Sequence, residues 1–126
     1  MLIAHPLNWY VGWGLILAAF LSGAGIGLAF HRESLWGGYG SFRRRIVRLG
    51  HISLAALGMI NLLFALSVPQ SNALARPASI LLIIGAVTMA GVCFLTGWKT
   101  LFRHLFFIPV LSLVSAVVLI LFGGTP

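Results

Sequence analysis

The sequence predicts an all-α integral membrane protein, a four-transmembrane-helix bundle with short loops and both termini on the non-cytoplasmic side. Of the 126 residues, 60% are hydrophobic and only 7% are charged. The mean hydropathy is +1.09, so a water-soluble fold would have almost no polar surface. Four apolar runs are each long enough to cross a bilayer, and the basic residues between them fall mainly in two loops.

The whole chain, residues 1–126, is predicted to form one domain. Pro6 and Asn8 are helix-start signals before the first span, and Pro77 is well placed to open the third. No Lys or Arg precedes the first apolar run, which favours a retained span over a cleaved signal peptide. Pro109 is expected to kink the fourth helix. The predicted spans are about 9–30, 46–67, 78–97 and 101–122.

The distribution of Lys and Arg predicts the orientation. The second loop holds Arg76 alone, whereas the first and third loops hold the other seven basic residues, which are Arg32, Arg43, Arg44, Arg45, Arg48, Lys99 and Arg103. This bias places the first and third loops in the cytoplasm. The net charge of +7, with Glu33 as the single acid, therefore indicates orientation and no nucleic-acid partner.

A stripe of small residues follows the first span at helical spacing. Its members are Gly14, Ala18, Ser22, Gly25 and Ala29. Small residues let two transmembrane helices approach closely, so the stripe predicts a helix-packing surface. In the second span, Asn61 is the only strongly polar residue at mid-depth, and its amide is expected to bond a neighbouring helix.

The segment from Arg43 to Ser67 is the best candidate site. It runs from an arginine cluster into an apolar helix, where Arg48 is expected to mark the membrane boundary with its side chain directed outward. At 3.6 residues per turn, His51 and Gly58 lie on nearly the same face, with Asn61 close to it. This narrow polar stripe predicts the side of the helix that faces other helices or a ligand.

Three histidines, His31, His51 and His104, fall in one layer near the predicted cytoplasmic interface. A b-type haem between helices needs two histidines at matched depth, small residues against the porphyrin and cations for its propionates. His51 and His104 meet the first condition as candidate iron ligands. Gly50 and Gly58 meet the second. Arg48 and Arg103 meet the third with the rest of the arginine cluster.

A simpler interpretation of each histidine stays open, because an imidazole can sit at headgroup level with its polar tip wet. His5 belongs to the opposite surface. The CxxCH and HExxH spacings are absent from the sequence, so covalently attached haem is excluded. With one carboxylate, the chain cannot perform paired-carboxylate chemistry within a protomer. Cys93, inside an apolar run, is expected to be a core residue.

These features favour a non-catalytic membrane subunit of a larger, electron-transferring complex, respiratory or photosynthetic, in a bacterial inner or photosynthetic membrane. The architecture is similar to that of quinone- or haem-associated membrane anchors. The expected partners are the lipid bilayer and other transmembrane subunits, and the candidate cofactor is haem b or a quinone near His51 and His104. The alternative is a free-standing homo-oligomeric transporter whose path is lined by Asn61, Thr88 and Ser112.

Overall fold

The computed structural model describes residues 3–123 and is entirely helical or loop over that range. The helices are α1 (Pro6–Phe30), α2 (Phe42–Ser67), α3 (Ala75–Trp98) and α4 (Phe107–Phe122), with short 3₁₀ segments at Leu35–Gly37 and Thr100–Phe106. When the second 3₁₀ segment is counted with α4, 4 helices are long and apolar enough to cross a membrane. The four predicted helices of spanning length and apolarity are confirmed, while their insertion into a membrane and their orientation stay predictions.

Three helices begin earlier than the sequence predicts. α1 starts at Pro6, whose missing N–H is not needed in the first turn. α2 starts at Phe42, before the arginines, because the Ser41 hydroxyl caps it by accepting from the Arg44 amide at 3.3 Å. α3 starts at Ala75, which places Pro77 in its first turn.

The interruption expected at Pro109 lies at the start of α4. The chain follows a 3₁₀ path through Phe106 and becomes α-helical at Phe107. Pro109 is therefore in the first α-helical turn, where the chain tolerates the loss of an N–H donor better than in a helix interior.

Each helix packs mainly against the next one in sequence. α1 lies against α2, α2 against α3, and α3 against α4, whereas α1 and α4 share no extended interface. The bundle is therefore open between its first and last helices. Buried side chains form three clusters, represented by Leu15 with Leu54 and Ala86, by Phe64 with Leu82 and Ala116, and by Ile46 with Val47 and Cys93.

Glycines set the closest helix contacts. A Cβ on Gly12 would lie 2.8 Å from the Gly58 carbonyl oxygen, and a Cβ on Gly58 would lie 2.9 Å from the Gly12 carbonyl oxygen. The backbones of α1 and α2 therefore touch at this pair, as small residues permit in transmembrane bundles. A Cβ on Gly85 would lie 2.5 Å from Cγ of Leu113 in α4, so the Leu113 side chain packs directly against the α3 backbone there.

Only part of the stripe predicted on α1 lines an interface within the described part of the chain. A Cβ on Gly14 or on Gly25 would meet nothing within 4 Å, and Ala29 is exposed. Ala18 and Ser22 lie half-buried at the edge of the α2 contact. The buried face of α1 is instead formed by Asn8, Gly12, Leu15 and Ala19. A packing role for Gly14, Gly25 and Ala29 stays a prediction about contacts outside this chain.

Candidate functional site

The arginine cluster at the start of α2 joins the ends of two other helices. Arg44 is only 2% exposed, and its guanidinium donates to the carbonyls of Phe30 at 3.3 Å, of Leu35 at 2.7 Å and of Arg32. It also lies 4.8 Å from the centroid of the Phe30 ring. The last carbonyls of a helix lack intrahelical donors and carry partial negative charge. Arg44 therefore stabilises the end of α1 and the loop that follows it.

Arg43 makes the equivalent contact to α3. Its Nε donates to the Gly97 carbonyl at 2.8 Å and its guanidinium donates to the Trp98 carbonyl at 3.0 Å. Arg48 bonds the Tyr39 carbonyl at 3.1 Å, with its charge 4.3 Å from the ring centroid. These arginines were predicted as markers of orientation. The structure adds that three of them are structural cations, a role that only their contacts with distant carbonyls reveal.

His51 lies at the contact between α2 and α1. Its Nδ1 is 3.0 Å from the Ser22 hydroxyl, which itself donates to the Ala19 carbonyl at 3.1 Å. When the hydroxyl donates to Ala19, Nδ1–H donates to Ser22 Oγ and the lone pair is on Nε2; when the hydroxyl donates to Nδ1, the imidazole proton is on Nε2. A Cβ on Gly23 would lie 2.8 Å from the imidazole Cε1, so the absence of a side chain there makes room for the ring.

The other two histidines of the predicted layer are exposed, unlike His51. His31 is exposed, and its Nδ1 is 2.5 Å from the carbonyl of Leu28 in its own helix. His104 is exposed on the 3₁₀ segment Thr100–Phe106, which packs mainly against α3, whereas His51 faces α1. Among residues 3–123, no group of three or more His, Cys, Asp or Glu side chains is placed to hold a metal ion.

The surfaces expected to accept a porphyrin are filled by the protein itself. Gly58 is against the Gly12 backbone, and a Cβ on Gly50 would lie 2.9 Å from the Cβ of Cys93. Arg48 is engaged with Tyr39, while Arg103 is exposed on the same 3₁₀ segment as His104. The geometry therefore gives the haem hypothesis no support beyond the orientation of His51, and the hypothesis stays a prediction.

A buried polar network crosses three helices near the opposite end of the bundle. The Asn8 amide donates to Asn61 Oδ1 at 2.9 Å, and the Ser79 hydroxyl donates to Asn8 Oδ1 at 2.5 Å. Asn61 Nδ2 bonds the Leu57 carbonyl at 2.9 Å. Asn8 and Asn61 are fully buried. Where water is excluded, unpaired amides are costly, so these bonds fix the relative positions of α1, α2 and α3.

The sequence predicts that the Asn61 amide bonds a neighbouring helix, whereas it indicates only a helix start at Asn8. A helix that starts at Pro6 includes Asn8 in its first turn. Because α2 runs antiparallel to α1, Asn61 near the end of α2 lies level with Asn8, and this is the signal that could have identified the pair.

Comparisons with known proteins give no relative: no family model, curated protein or solved structure matches this chain.

Proposed function

We propose that the protein is a small, non-catalytic membrane subunit that packs against the transmembrane helices of a larger assembly. The observation that carries this proposal is the outer face of α1. Gly14 and Gly25 there share one side of the helix and have open space where a Cβ would be. Glycine offers lipid little contact, whereas it lets another helix approach to backbone distance.

The open bundle supports the same proposal. α1 and α4 do not pack against each other. Only 11% of the most apolar 18-residue stretch in each of these two helices is buried. By contrast, 39% of the corresponding stretch is buried in α2 and in α3. The two outer helices therefore offer most of the surface that partner helices would cover.

An electron-transferring assembly is the kind that the sequence favours, and His51 is the residue that would connect this chain to it. Its Nδ1 is oriented by Ser22, and in the tautomer with the proton on Nδ1 the Nε2 lone pair can bind a metal ion or accept a hydrogen bond. Since Gly58 and Gly50 are already packed, a haem or quinone would have to reach His51 from outside the α1–α2 contact.

The alternative is a homo-oligomeric transporter with a path along Asn61, Thr88 and Ser112. Asn61 already bonds Asn8 and the Leu57 carbonyl, and the Thr88 hydroxyl donates to the Ile84 carbonyl of its own helix at 2.6 Å. These bonds give the groups structural roles, so no specific observation favours the transporter.

The proposal is tested by placing leucine at two glycines of α1. Gly25→Leu enters open space, so we expect the chain to accumulate and keep its helical circular dichroism but to lose the subunits that co-purify with it. Gly12→Leu collides with Leu62 and the Gly58 carbonyl, so it should damage the fold of the chain itself. Phe20→Ala, exposed on a different side of α1 from Gly14 and Gly25, is the control. Full retention of partners by Gly25→Leu would contradict the proposal.

A further inference from the structure

A polar cavity of about 470 Å³ lies at the end of the bundle opposite the arginine cluster. It is bounded by the residues before α1, the α2–α3 loop and the first turns of α3. Its polar lining consists of His5, Gln70, Ser71, Asn72, Arg76 and Ser79. Its volume is in the range of cavities that hold small ligands.

The charge of the cavity favours an anion. Arg76 is exposed and contributes a permanent positive charge, and no carboxylate from residues 3–123 lines the space. Glu33, the single acid of the chain, lies in the loop between α1 and α2, at the other end of the bundle. The α2–α3 loop beside it is ordered by other side chains: Gln70 donates to the Ala4 carbonyl at 2.6 Å, and Asn72 Oδ1 accepts from the Leu74 amide at 2.9 Å. Within residues 3–123, the Arg76 side chain makes no hydrogen bond of this kind.

The lining also holds hydrogen-bond capacity that the loop does not use. Asn72 accepts through Oδ1 in its bond to Leu74, which leaves its Nδ2 hydrogens for another acceptor. His5 lies against Phe64 with ring centroids 4.8 Å apart. Its Nε2 is buried without a partner among residues 3–123, and a buried polar atom of this kind indicates an unfilled contact.

We propose that this cavity binds a phosphate group through the Arg76 guanidinium, with Asn72 and Ser71 as further donors. A guanidinium presents paired N–H donors that match two phosphate oxygens. The cavity lies where three apolar helices begin or end, which is the level of lipid headgroups. The same chemistry describes an anionic lipid headgroup or a free phosphate, and the test separates these two sources.

The test uses the whole protein in a phosphate-free detergent with three probes: phosphatidylglycerol, diacylglycerol and inorganic phosphate. Native mass spectrometry measures lipid retention, and thermal unfolding measures stabilisation. We expect phosphatidylglycerol to be retained and to raise the unfolding temperature, whereas diacylglycerol, which lacks the phosphate, should do neither. Stabilisation by inorganic phosphate without lipid retention would identify a free anion as the ligand and would also support the site.

Three substitutions localise the effect. Arg76→Gln should weaken phosphatidylglycerol binding about tenfold, the loss expected from one charge-assisted hydrogen bond, and Arg76→Lys should restore part of it. Arg103→Gln, at an exposed arginine of the opposite end, should change nothing. Equal binding of the two lipids, no binding of any probe, or equal losses in Arg76→Gln and Arg103→Gln would overturn the proposal.

Discussion

The Asn8 amide donates to Asn61 Oδ1 at 2.9 Å, and both residues are fully buried between α1 and α2. This pair lies in the same interface as the backbone contact between Gly12 and Gly58. α1 is therefore held to α2 by a polar bond and by close packing on the same face.

We expect Asn61→Leu to destabilise the bundle by about 1 to 2 kcal/mol, because it leaves the buried Asn8 amide without its acceptor. The double variant with Asn8→Leu should cost less than the sum of the two single changes, with a coupling of about 1 kcal/mol. Denaturant unfolding in detergent micelles measures both quantities. Thr88→Val, which removes a bond within one helix, is the control. Strict additivity at Asn8 and Asn61 would show that the bond contributes nothing.

Neighbouring arginines should differ sharply in their effect on stability. Arg44→Gln removes a buried cation that bonds the Phe30 and Leu35 carbonyls, so we expect a loss of about 3 kcal/mol in the free energy of unfolding. Arg45 is exposed, and Arg45→Gln should change stability by no more than about 0.5 kcal/mol. Thermal unfolding of the two variants side by side checks this, and equal effects would contradict the structural role of Arg44.

The structure changes how the predicted orientation is best tested. Replacing Arg43 and Arg44 would also break helix-end contacts, so the exposed cations Arg32, Arg45, Lys99 and Arg103 are the better targets. Of the seven basic residues at this end, three would remain against Arg76, and we expect mixed insertion. A reporter fused after Pro126 should read non-cytoplasmic in the wild type. A cytoplasmic reading there would overturn the predicted orientation.

His51 provides the test of the cofactor hypothesis. Since α1 fills the space against Gly58, we expect the isolated protein to absorb only through its tryptophans and tyrosines. His51→Gln, which keeps a donor and an acceptor for Ser22, should be nearly silent in stability, whereas His51→Ala should cost about 1 kcal/mol. A low-spin b-type spectrum that disappears in both His51→Ala and His104→Ala, and survives His5→Ala, would instead establish these histidines as haem ligands.

The sequence was sufficient to predict four apolar spans, because hydropathy and length decide that property locally. It was not sufficient to predict which side of α1 faces the bundle. Small residues recur at helical spacing on two sides, with Gly14 and Gly25 on one and Gly12 and Ala19 on the other. A helix that is apolar all round gives no polarity difference to separate them, so the choice depends on the complementary glycine in α2.

The candidate site was predicted less completely for a similar reason. His51 was identified inside the second span, and its orientation by Ser22 is a contact between residues 29 positions apart. Arg43 and Arg44 likewise donate to backbone carbonyls that are distant in the sequence. Every residue type has such a carbonyl, so no sequence pattern predicts these contacts. The position of each residue along its helix was predictable from spacing, whereas the partner of each side chain was not.

The most direct test of the subunit proposal is the mass of the particle that contains this chain. The tagged protein, expressed at its native level, is extracted in mild detergent and analysed by native mass spectrometry. We predict a complex whose mass is not a whole multiple of the 13.5 kDa chain, with other membrane subunits released on activation. A lone homogeneous oligomer of this chain, with no other polypeptide, would contradict it.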